Sequence, residues 1–230
     1  MASRGRIGRG AALICMVAGF AAVAADAPAS NALDRYLTGL NSLSATFTQT
    51  VTDSKGEQIG AGAGHLLVQR PGKFRWDYAP TPSAADPAAP ADSSTQRGQL
   101  LVADGSNLWF YDRELAQVTV KPVEAALSAT PIVLLSGSAA QLHDSFAVNA
   151  EAAHDGMDWV EVKPRSAEAD FNHAELGFSG GKLARMVVKD RLGQTVELDF
   201  SHSERNAHVS ADLLKFKPPA GVDVIGRPQD

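Results

Sequence analysis

Hydrophobic and polar residues alternate along much of the chain, and this period of two predicts short β-strands. The clearest example is a segment in which Phe74, Trp76 and Tyr78 alternate with two charged residues. Successive side chains of a strand point to opposite faces, so the three aromatic rings are expected on one face. Pro71 and Gly72 come just before and predict a turn, because proline fixes φ and glycine tolerates a positive φ.

The same alternation recurs in short runs separated by turn residues such as Asp-Gly and Gly-Gly pairs. About ten short strands in hairpin order, with few helices, predict an antiparallel sheet that curls into a barrel or half-barrel. The expected strands include residues 44–52, 65–68, 74–78, 99–103, 107–111, 117–121, 146–149, 159–163, 175–178, 183–189, 195–201 and 214–216.

Two segments have helical character instead. Near the N-terminus, apolar residues stand at positions i, i+3, i+4 and i+7 counted from Leu33, with Asn31 before them as a cap. Residues 122–137 are unusually apolar for a segment between polar turns, and Pro131 suits the start of a helix. This second helical segment either packs on the sheet as core or forms a lid whose apolar face covers a cavity.

Two low-complexity stretches have different interpretations. Residues 60–64 read Gly-Ala-Gly-Ala-Gly and superficially resemble a phosphate-binding loop. A strand pattern follows them rather than a helix, so we expect a strand of small residues and no phosphate site. From about residue 79 to residue 97 the chain is rich in Pro, Ala and Ser, which predicts a loop inserted between two strands.

The first 25 residues have the features of a secretory signal peptide. Three arginines precede an apolar stretch that is short for a bilayer span, and small residues then allow cleavage near residue 25. An uncleaved membrane anchor is the alternative, but polar residues follow at once. The single cysteine, Cys15, follows Ile14, which does not fit a lipoprotein signal. We therefore expect one cysteine-free domain over residues 26–230, located in a bacterial periplasm.

Charge argues against several classes of partner. Loss of the three signal-peptide arginines takes the formal net charge from −5 to −8. An acidic chain is a poor match for nucleic acid or for an anionic membrane surface. With 44% hydrophobic residues, the chain can bury the core of one sizeable domain.

The sequence lacks the common catalytic and metal-binding motifs. The six histidines form no HExxH pair, and His202 and His208 are too few ligands for a zinc site. No Gly-x-Ser-x-Gly elbow is present. Acids such as Glu161, Asp190 and Asp199 alternate with apolar residues, as on the wet face of strands. We expect neither an enzyme nor a protein that holds a metal or another cofactor.

An ordered series of motifs resembles the periplasmic outer-membrane lipoprotein carrier family, LolA, over almost all of the mature chain. No single motif is decisive, but their order is quite specific; the departures are the inserted loop and an early C-terminus. The matching positions are Leu43, Phe47-Thr48-Gln49, residues 60–64, Arg70-Pro71, Phe74, Trp76, Val102, Asp104-Gly105, Leu108-Trp109, Tyr111, Gln117, Thr119, Leu127, Thr130-Pro131, Leu134-Leu135, Pro164, Phe216, Pro218-Pro219 and Gly221-Val222.

The resemblance implies an α+β, mostly β fold: a strongly curved, unclosed antiparallel β-barrel with a few short helices that form a lid over an apolar cavity. It implies a monomeric carrier that shields the acyl chains of lipoproteins. Such a carrier receives cargo from an inner-membrane ABC transporter complex and yields it to an outer-membrane receptor lipoprotein. Two alternatives stay open, namely a periplasmic sensor of mislocalised lipoprotein and a carrier of another lipid or glycolipid.

The resemblance also suggests site residues. Arg70 corresponds to the family's arginine that ties the sheet to the lid, and its five fixed donors suit helix C-terminal carbonyls. Phe74 stands beside the turn, where a partner could dock. For each apolar candidate, an ordinary core position is an equal alternative. The expected cavity and lid residues are Leu37, Leu40, Phe47, Phe74, Trp76, Trp109, Leu127, Ile132, Leu134 and Leu135.

Overall fold

The computed structural model describes residues 31–81, 97–123 and 131–229. The expected signal peptide, most of the low-complexity insertion and Leu127 lie outside these ranges. The described elements are α1 (Ala32–Leu37), β1 (Ser42–Thr52), β2 (Gln58–Gln69), β3 (Lys73–Pro80), β4 (Gln99–Ala103), β5 (Asn107–Asp112), β6 (Gln117–Pro122), α2 (Val133–Ser136), α3 (Ala139–Ser145), β7 (Phe146–Ala150), β8 (Asp158–Pro164), β9 (Phe171–Ser179), β10 (Lys182–Asp190), β11 (Thr195–Arg205), a 3₁₀ helix (Ala211–Leu214) and β12 (Asp223–Ile225).

All twelve of these strands form one sheet in the order β12-β6-β5-β4-β3-β2-β1-β11-β10-β9-β8-β7. Neighbouring strands run antiparallel, except for the short parallel pairing of β12 with β6. As far as the chain is described, β12 and β7 are the two edges, so the sheet is not closed. The prediction of an unclosed, mostly antiparallel sheet is therefore confirmed.

The inner face of the sheet curves around α1. On one side, the Tyr36 ring of α1 lies against Phe178 of β9, with 5.3 Å between ring centroids. On the other, Arg70 at the end of β2 donates to the Leu37 carbonyl of α1. Strands β2 and β9 are four positions apart, which is about 19 Å in a flat sheet. Curvature brings both to one six-residue helix.

The inner face and the helices share one large apolar core. It includes Leu33 of α1, Leu134 and Leu135 of α2, and strand residues from β1 to β4 and from β8 to β11. The three leucines named are 0% exposed. The helical segment that begins near Pro131 is thus packed on the sheet, with its apolar residues toward the core.

A smaller apolar cluster covers the outer face of β4, β5 and β6. Its buried members are Leu100, Val102, Trp109, Val118 and Val120, and Phe216 and Val222 pack on it from the C-terminal segment. The predicted strand at residues 214–216 is wrong. Leu214 ends a 3₁₀ helix instead, and the chain forms its last strand, β12, further on.

Local sequence signals explain the starts of α1 and α3. Asn31 caps α1, since its side-chain Oδ1 accepts from the backbone N–H of Asp34 at 2.9 Å. Helix α3 was not predicted from the pattern, although Ser138 and Gln141 form a capping box at its start. Among the described residues, none of the helices is long and apolar enough to cross a membrane.

Candidate functional site

An apolar cavity of about 330 Å³ opens on the inner face of the sheet. Its wall spans β1, β3, β4, β9, β10 and β11, and the residues just before α2 cover it. Three polar side chains, Gln49, Asp170 and Asp190, are the exceptions in an otherwise apolar lining. The lining residues are Gln49, Trp76, Leu101, Pro131, Ile132, Asp170, Phe171, Met186, Val188, Asp190, Val196 and Leu198.

Strand register places these side chains together. Trp76 of β3 is paired with Leu101 of β4. On the other side, Met186 and Val188 of β10 are paired with Leu198 and Val196 of β11. Residues directly opposite each other in an antiparallel sheet point to the same face, so each pair presents two apolar side chains to the cavity.

The glycines of β2 allow two aromatic rings to meet across that strand. Phe47 of β1 and Trp76 of β3 flank β2, yet their ring centroids are 4.2 Å apart. A Cβ atom on Gly64 would lie 2.6 Å from a carbon of the Phe47 ring and 2.0 Å from the Asp77 carbonyl oxygen. A side chain there would collide with both, so glycine is required for this aromatic wall. The prediction of a small-residue strand at residues 60–64 is confirmed.

Arg70 connects the sheet to both helices. Its Nη1 donates to the carbonyl of Leu37 at 2.9 Å and to that of Leu40 at 3.4 Å. Its Nε and Nη2 donate to the carbonyl of Gly137 at 3.0 and 2.6 Å. One guanidinium therefore holds the C-terminal carbonyls of α1 and α2 together, as its fixed fork of donors permits. We call these bonds the Arg70 latch, and residues 131–137 the lid segment.

The latch is held by neutral carbonyls, and no ion pair of Arg70 is found within the described ranges. Partial burial lowers the pKa of the Arg70 guanidinium from its usual value, because desolvation disfavours the charged form. A second bond supports the latch: the Gly72 amide, in the turn between β2 and β3, donates to the Ser136 carbonyl at 2.8 Å. Both contacts join the same turn to the lid segment.

The inner core gathers most of the residues expected at the site. Trp76 and Ile132 line the cavity itself. The others are packed in the core beside it, and Phe74 is only 1% exposed, so it offers no surface to a docking partner. The core residues from the predicted set are Leu37, Leu40, Phe47, Phe74, Ile132, Leu134 and Leu135.

Trp109 does not belong to this site. It lies in the outer cluster, 5.6 Å from Phe216 between ring centroids, and its Nε1 donates to the Asp104 carboxylate at 2.7 Å. Its neighbour Leu108 packs on the inner core instead. Because adjacent side chains of a strand point to opposite faces, only one of the two can face the cavity.

Sequence reasoning missed the half of the cavity wall on β10 and β11. The available signal was partial: Glu197 separates Val196 from Leu198, whereas the residue between Met186 and Val188 is the apolar, half-buried Val187. The assignment of Asp190 to the wet face of a strand is wrong. Asp190 shares the parity of Met186 and Val188 and lies at the cavity, where its Oδ1 also accepts from the amides of two turn residues.

The chain is similar in sequence to known proteins over most of its length. The family model for "Outer membrane lipoprotein carrier protein LolA" matches residues 38–85 and 92–217. An outer-membrane lipoprotein carrier protein of Methylococcus capsulatus is 36% identical over 213 residues, covering 93% of each chain. One from Methylibium petroleiphilum is 37% identical over 224 residues, covering 97% of this chain and 99% of its own.

Among solved structures, a LolA superfamily protein from Nitrosomonas europaea is similar at 11% identity and a TM-score of 0.44, covering 80% of this chain and 96% of its own. The sequence matches are much stronger, and they extend over the sheet, the lid segment and the outer cluster. The chain belongs to the outer membrane lipoprotein carrier protein family, LolA.

Proposed function

We propose that this protein is a periplasmic carrier that binds the acyl chains of lipoproteins and delivers them toward the outer membrane. The observation that carries the proposal is the apolar cavity on the inner face of an unclosed sheet, covered by a lid segment that a polar latch holds down. Family membership supports the same cargo.

The chemistry of the cavity fits an acyl chain. Each buried methylene of a lipid chain contributes roughly 0.8 kcal/mol, so a lipidated protein does not leave a membrane for water unaided. A wall of Trp76, Leu101, Met186, Val188 and Leu198 can replace the membrane as an apolar environment. Within the described residues, no group of three or more His, Cys, Asp or Glu side chains is placed to hold a metal ion.

The closed cavity is small for such a cargo. Its volume of about 330 Å³ is at the lower end of the range for small-molecule pockets, about 300–1,000 Å³. Two or three long acyl chains need more room, so the lid segment must move outward as they enter. Ile132 and Pro131 both belong to the wall and to the lid segment, so this movement enlarges the cavity directly.

The partners follow from the direction of transport. On this proposal an inner-membrane ABC transporter complex supplies the cargo and an outer-membrane receptor lipoprotein accepts it. The carrier itself acts as a monomer in the periplasm. The cavity mouth is where the acyl chains pass in both steps.

A matched pair of valine substitutions tests the cavity. Val196 lines it, whereas Val187 on the neighbouring strand is similarly half-buried but points to the outer face. Val196→Asn places a polar amide against the acyl chain, and Val187→Asn is the control. We expect Val196→Asn to reduce release of lipoprotein from spheroplasts at least several-fold, because burying an unpaired amide is unfavourable.

Mass spectrometry of lipids extracted from the protein purified out of the periplasm identifies the cargo class. Finding lipoprotein acyl chains supports the proposal. Finding another lipid or glycolipid, together with normal release of lipoprotein from spheroplasts by Val196→Asn, contradicts it.

A further inference from the structure

Two buried hydroxyl groups have no hydrogen-bond partner within the described part of the chain: the phenol of Tyr36 and the Oγ of Ser136. Tyr36 is 2% exposed and Ser136 is 0% exposed. Burial raises the pKa of Tyr36 to about 12, although the positive charge of Arg205 acts in the opposite direction. A hydroxyl that has lost water and gained no partner disfavours the state that buries it.

Both hydroxyls stand one residue before a carbonyl of the Arg70 latch. Tyr36 precedes Leu37, and Ser136 precedes Gly137; both carbonyls accept from the guanidinium at 3.0 Å or less. Each latched helix therefore carries two opposed features next to each other. One is a charge-assisted hydrogen bond that favours closure, and the other is a buried hydroxyl that opposes it.

We propose that the hydroxyls of Tyr36 and Ser136 set the opening equilibrium of the lid, by destabilising the closed, empty state against the Arg70 latch. The proposal rests on the carrier function above, in which the lid segment with α2 moves outward as cargo enters. It adds that α1, which the Arg70 latch joins to the lid segment, moves as well. When they move, the latch breaks and both hydroxyls regain water. Opening thus relieves an unfavourable interaction at the same place where it breaks a favourable one.

The arrangement solves a problem that the latch creates. A closed state held by several guanidinium bonds and a buried leucine core would open too rarely to accept cargo, because the binding-competent fraction scales the apparent affinity. Two unsatisfied hydroxyls raise that fraction without weakening the apolar packing. Removing either hydroxyl should shift the equilibrium toward the closed state by roughly 5–30-fold.

The test uses Tyr36→Phe and Ser136→Ala, alone and combined. Tyr36→Phe keeps the ring that packs on Phe178 and on the Arg205 guanidinium, 5.0 Å from the ring centroid. Two controls remove hydroxyls that do have partners. The Tyr78 hydroxyl donates to the Ala61 carbonyl at 3.3 Å, so Tyr78→Phe is the phenol control.

Ser42→Ala is the serine control, because the buried Ser42 hydroxyl donates to the Ala207 carbonyl at 2.6 Å. Thermal unfolding of the empty protein gives the first result. We expect each test variant to raise Tm by about 2 °C or more, while the two controls lower it or leave it unchanged. An unchanged or lower Tm for both test variants means that the hydroxyls are satisfied, and overturns the proposal.

Hydrogen exchange at the Gly72 amide gives the second result, because its acceptor is the Ser136 carbonyl of the lid segment. Opening of the lid frees this amide, so exchange there should slow by roughly 5–30-fold in the test variants. The Asp53 amide, bonded across the β1–β2 turn, serves as an internal reference and should not change. Unchanged or faster exchange at Gly72 contradicts the proposal.

Binding of a dipalmitoylated cysteine lipopeptide gives the third result. The double variant should bind this probe roughly 25-fold or more weakly, since the two shifts multiply for independent sites. Normal binding with slowed exchange at Gly72 overturns the link between the hydroxyls and cargo entry, and leaves the carrier function standing. Failure of the unsubstituted protein to bind the probe counts against the carrier function instead, while Tm and exchange still decide the role of the hydroxyls.

Discussion

Replacing Arg70 by leucine should leave the carrier able to accept cargo and impair delivery. The guanidinium makes three bonds of 3.0 Å or less, to the carbonyls of Leu37 and Gly137. A hydrogen bond to a charged group contributes about 1.5–3 kcal/mol. Taking the lower value for each of two carbonyls gives about 3 kcal/mol for the closed state, which is a shift of roughly 150-fold toward the open state.

The direction of the effect follows from competition between the latch and the cargo. On the proposed function, closing the lid expels acyl chains from the cavity, so a weaker latch favours the open, loaded protein. The leucine adds apolar surface and acts in the same direction. Arg70→Lys keeps the positive charge but cannot hold two carbonyls in a fixed fork. Its delivery of cargo should therefore lie between that of the unsubstituted protein and that of Arg70→Leu.

Arg205→Leu is the matched control. Arg205 also donates from its Nη2 to carbonyls of the α1 region, those of Tyr36 at 2.7 Å and Thr38 at 3.0 Å, but it does not reach the lid segment in the described structure. Its loss should loosen α1 and leave α2 in place, with a smaller effect on delivery.

The assay has two separate steps, uptake of lipoprotein from spheroplasts and transfer of the loaded cargo to purified receptor. Arg70→Leu should pass the first step and fail the second. Failed uptake together with normal release of pre-loaded cargo would refute the latch reasoning. Equal defects in Arg70→Leu and Arg205→Leu would show that holding α1 alone is sufficient.

Two further predictions concern stability. Burial raises the pKa of Asp104, but hydrogen bonds from the Trp109 indole and nearby backbone amides outweigh it, so the pKa is lower than usual. The ionised group therefore stabilises the fold above the unfolded-state pKa of about 3.9 and loses this effect as pH falls through the folded-state value. Urea denaturation should show that Asp104→Asn lowers the free energy of unfolding by about 1.5 kcal/mol at pH 7 and by little at low pH. The exposed Asp144→Asn is the control. A loss of unfolding free energy that does not depend on pH would contradict the charge argument. Replacing residues 82–96 by Gly-Ser-Gly should leave Tm and acyl binding nearly unchanged, because loop closure depends weakly on length, and a large loss of either would refute a passive loop.

The alternation of residues was enough to predict the sheet but not the side of each strand that faces the core. The Phe74, Trp76 and Tyr78 side chains pack toward the inner core, as the period of two requires. The run from Leu108 to Tyr111 has no polar residue, so its pattern does not say which parity points inward. Trp109 faces outward because it has two partners on that face, the Phe216 ring and the Asp104 carboxylate. The alternation of hydrophobic and polar residues shows neither contact.

Cavity wall and closed core could not be told apart from sequence, because both require buried apolar side chains. Phe47 and Trp76 are in contact, yet only Trp76 lines the cavity. The difference depends on where α2 covers the sheet, which is a matter of tertiary packing. Arg70 was different, since the resemblance to the family's arginine suggested that it ties the sheet to the lid. Its fixed donors suit helix C-terminal carbonyls, which are left without partners inside the helix.

On the proposed function, the lid is controlled by the cargo itself. Opening exposes Leu134 and Leu135, which are fully buried in the closed state, and exposing a leucine costs about 1.5–3 kcal/mol. Acyl chains can cover the same apolar surface, so the open state becomes favourable only when it is loaded. Without cargo, the leucines and the Arg70 latch both favour closure, and the hydroxyls of Tyr36 and Ser136 limit how firmly it closes. The open, loaded state and the closed, empty state are then close in free energy, so contact with a partner can shift the balance toward binding or toward release. A carrier without its own energy source requires such a balance.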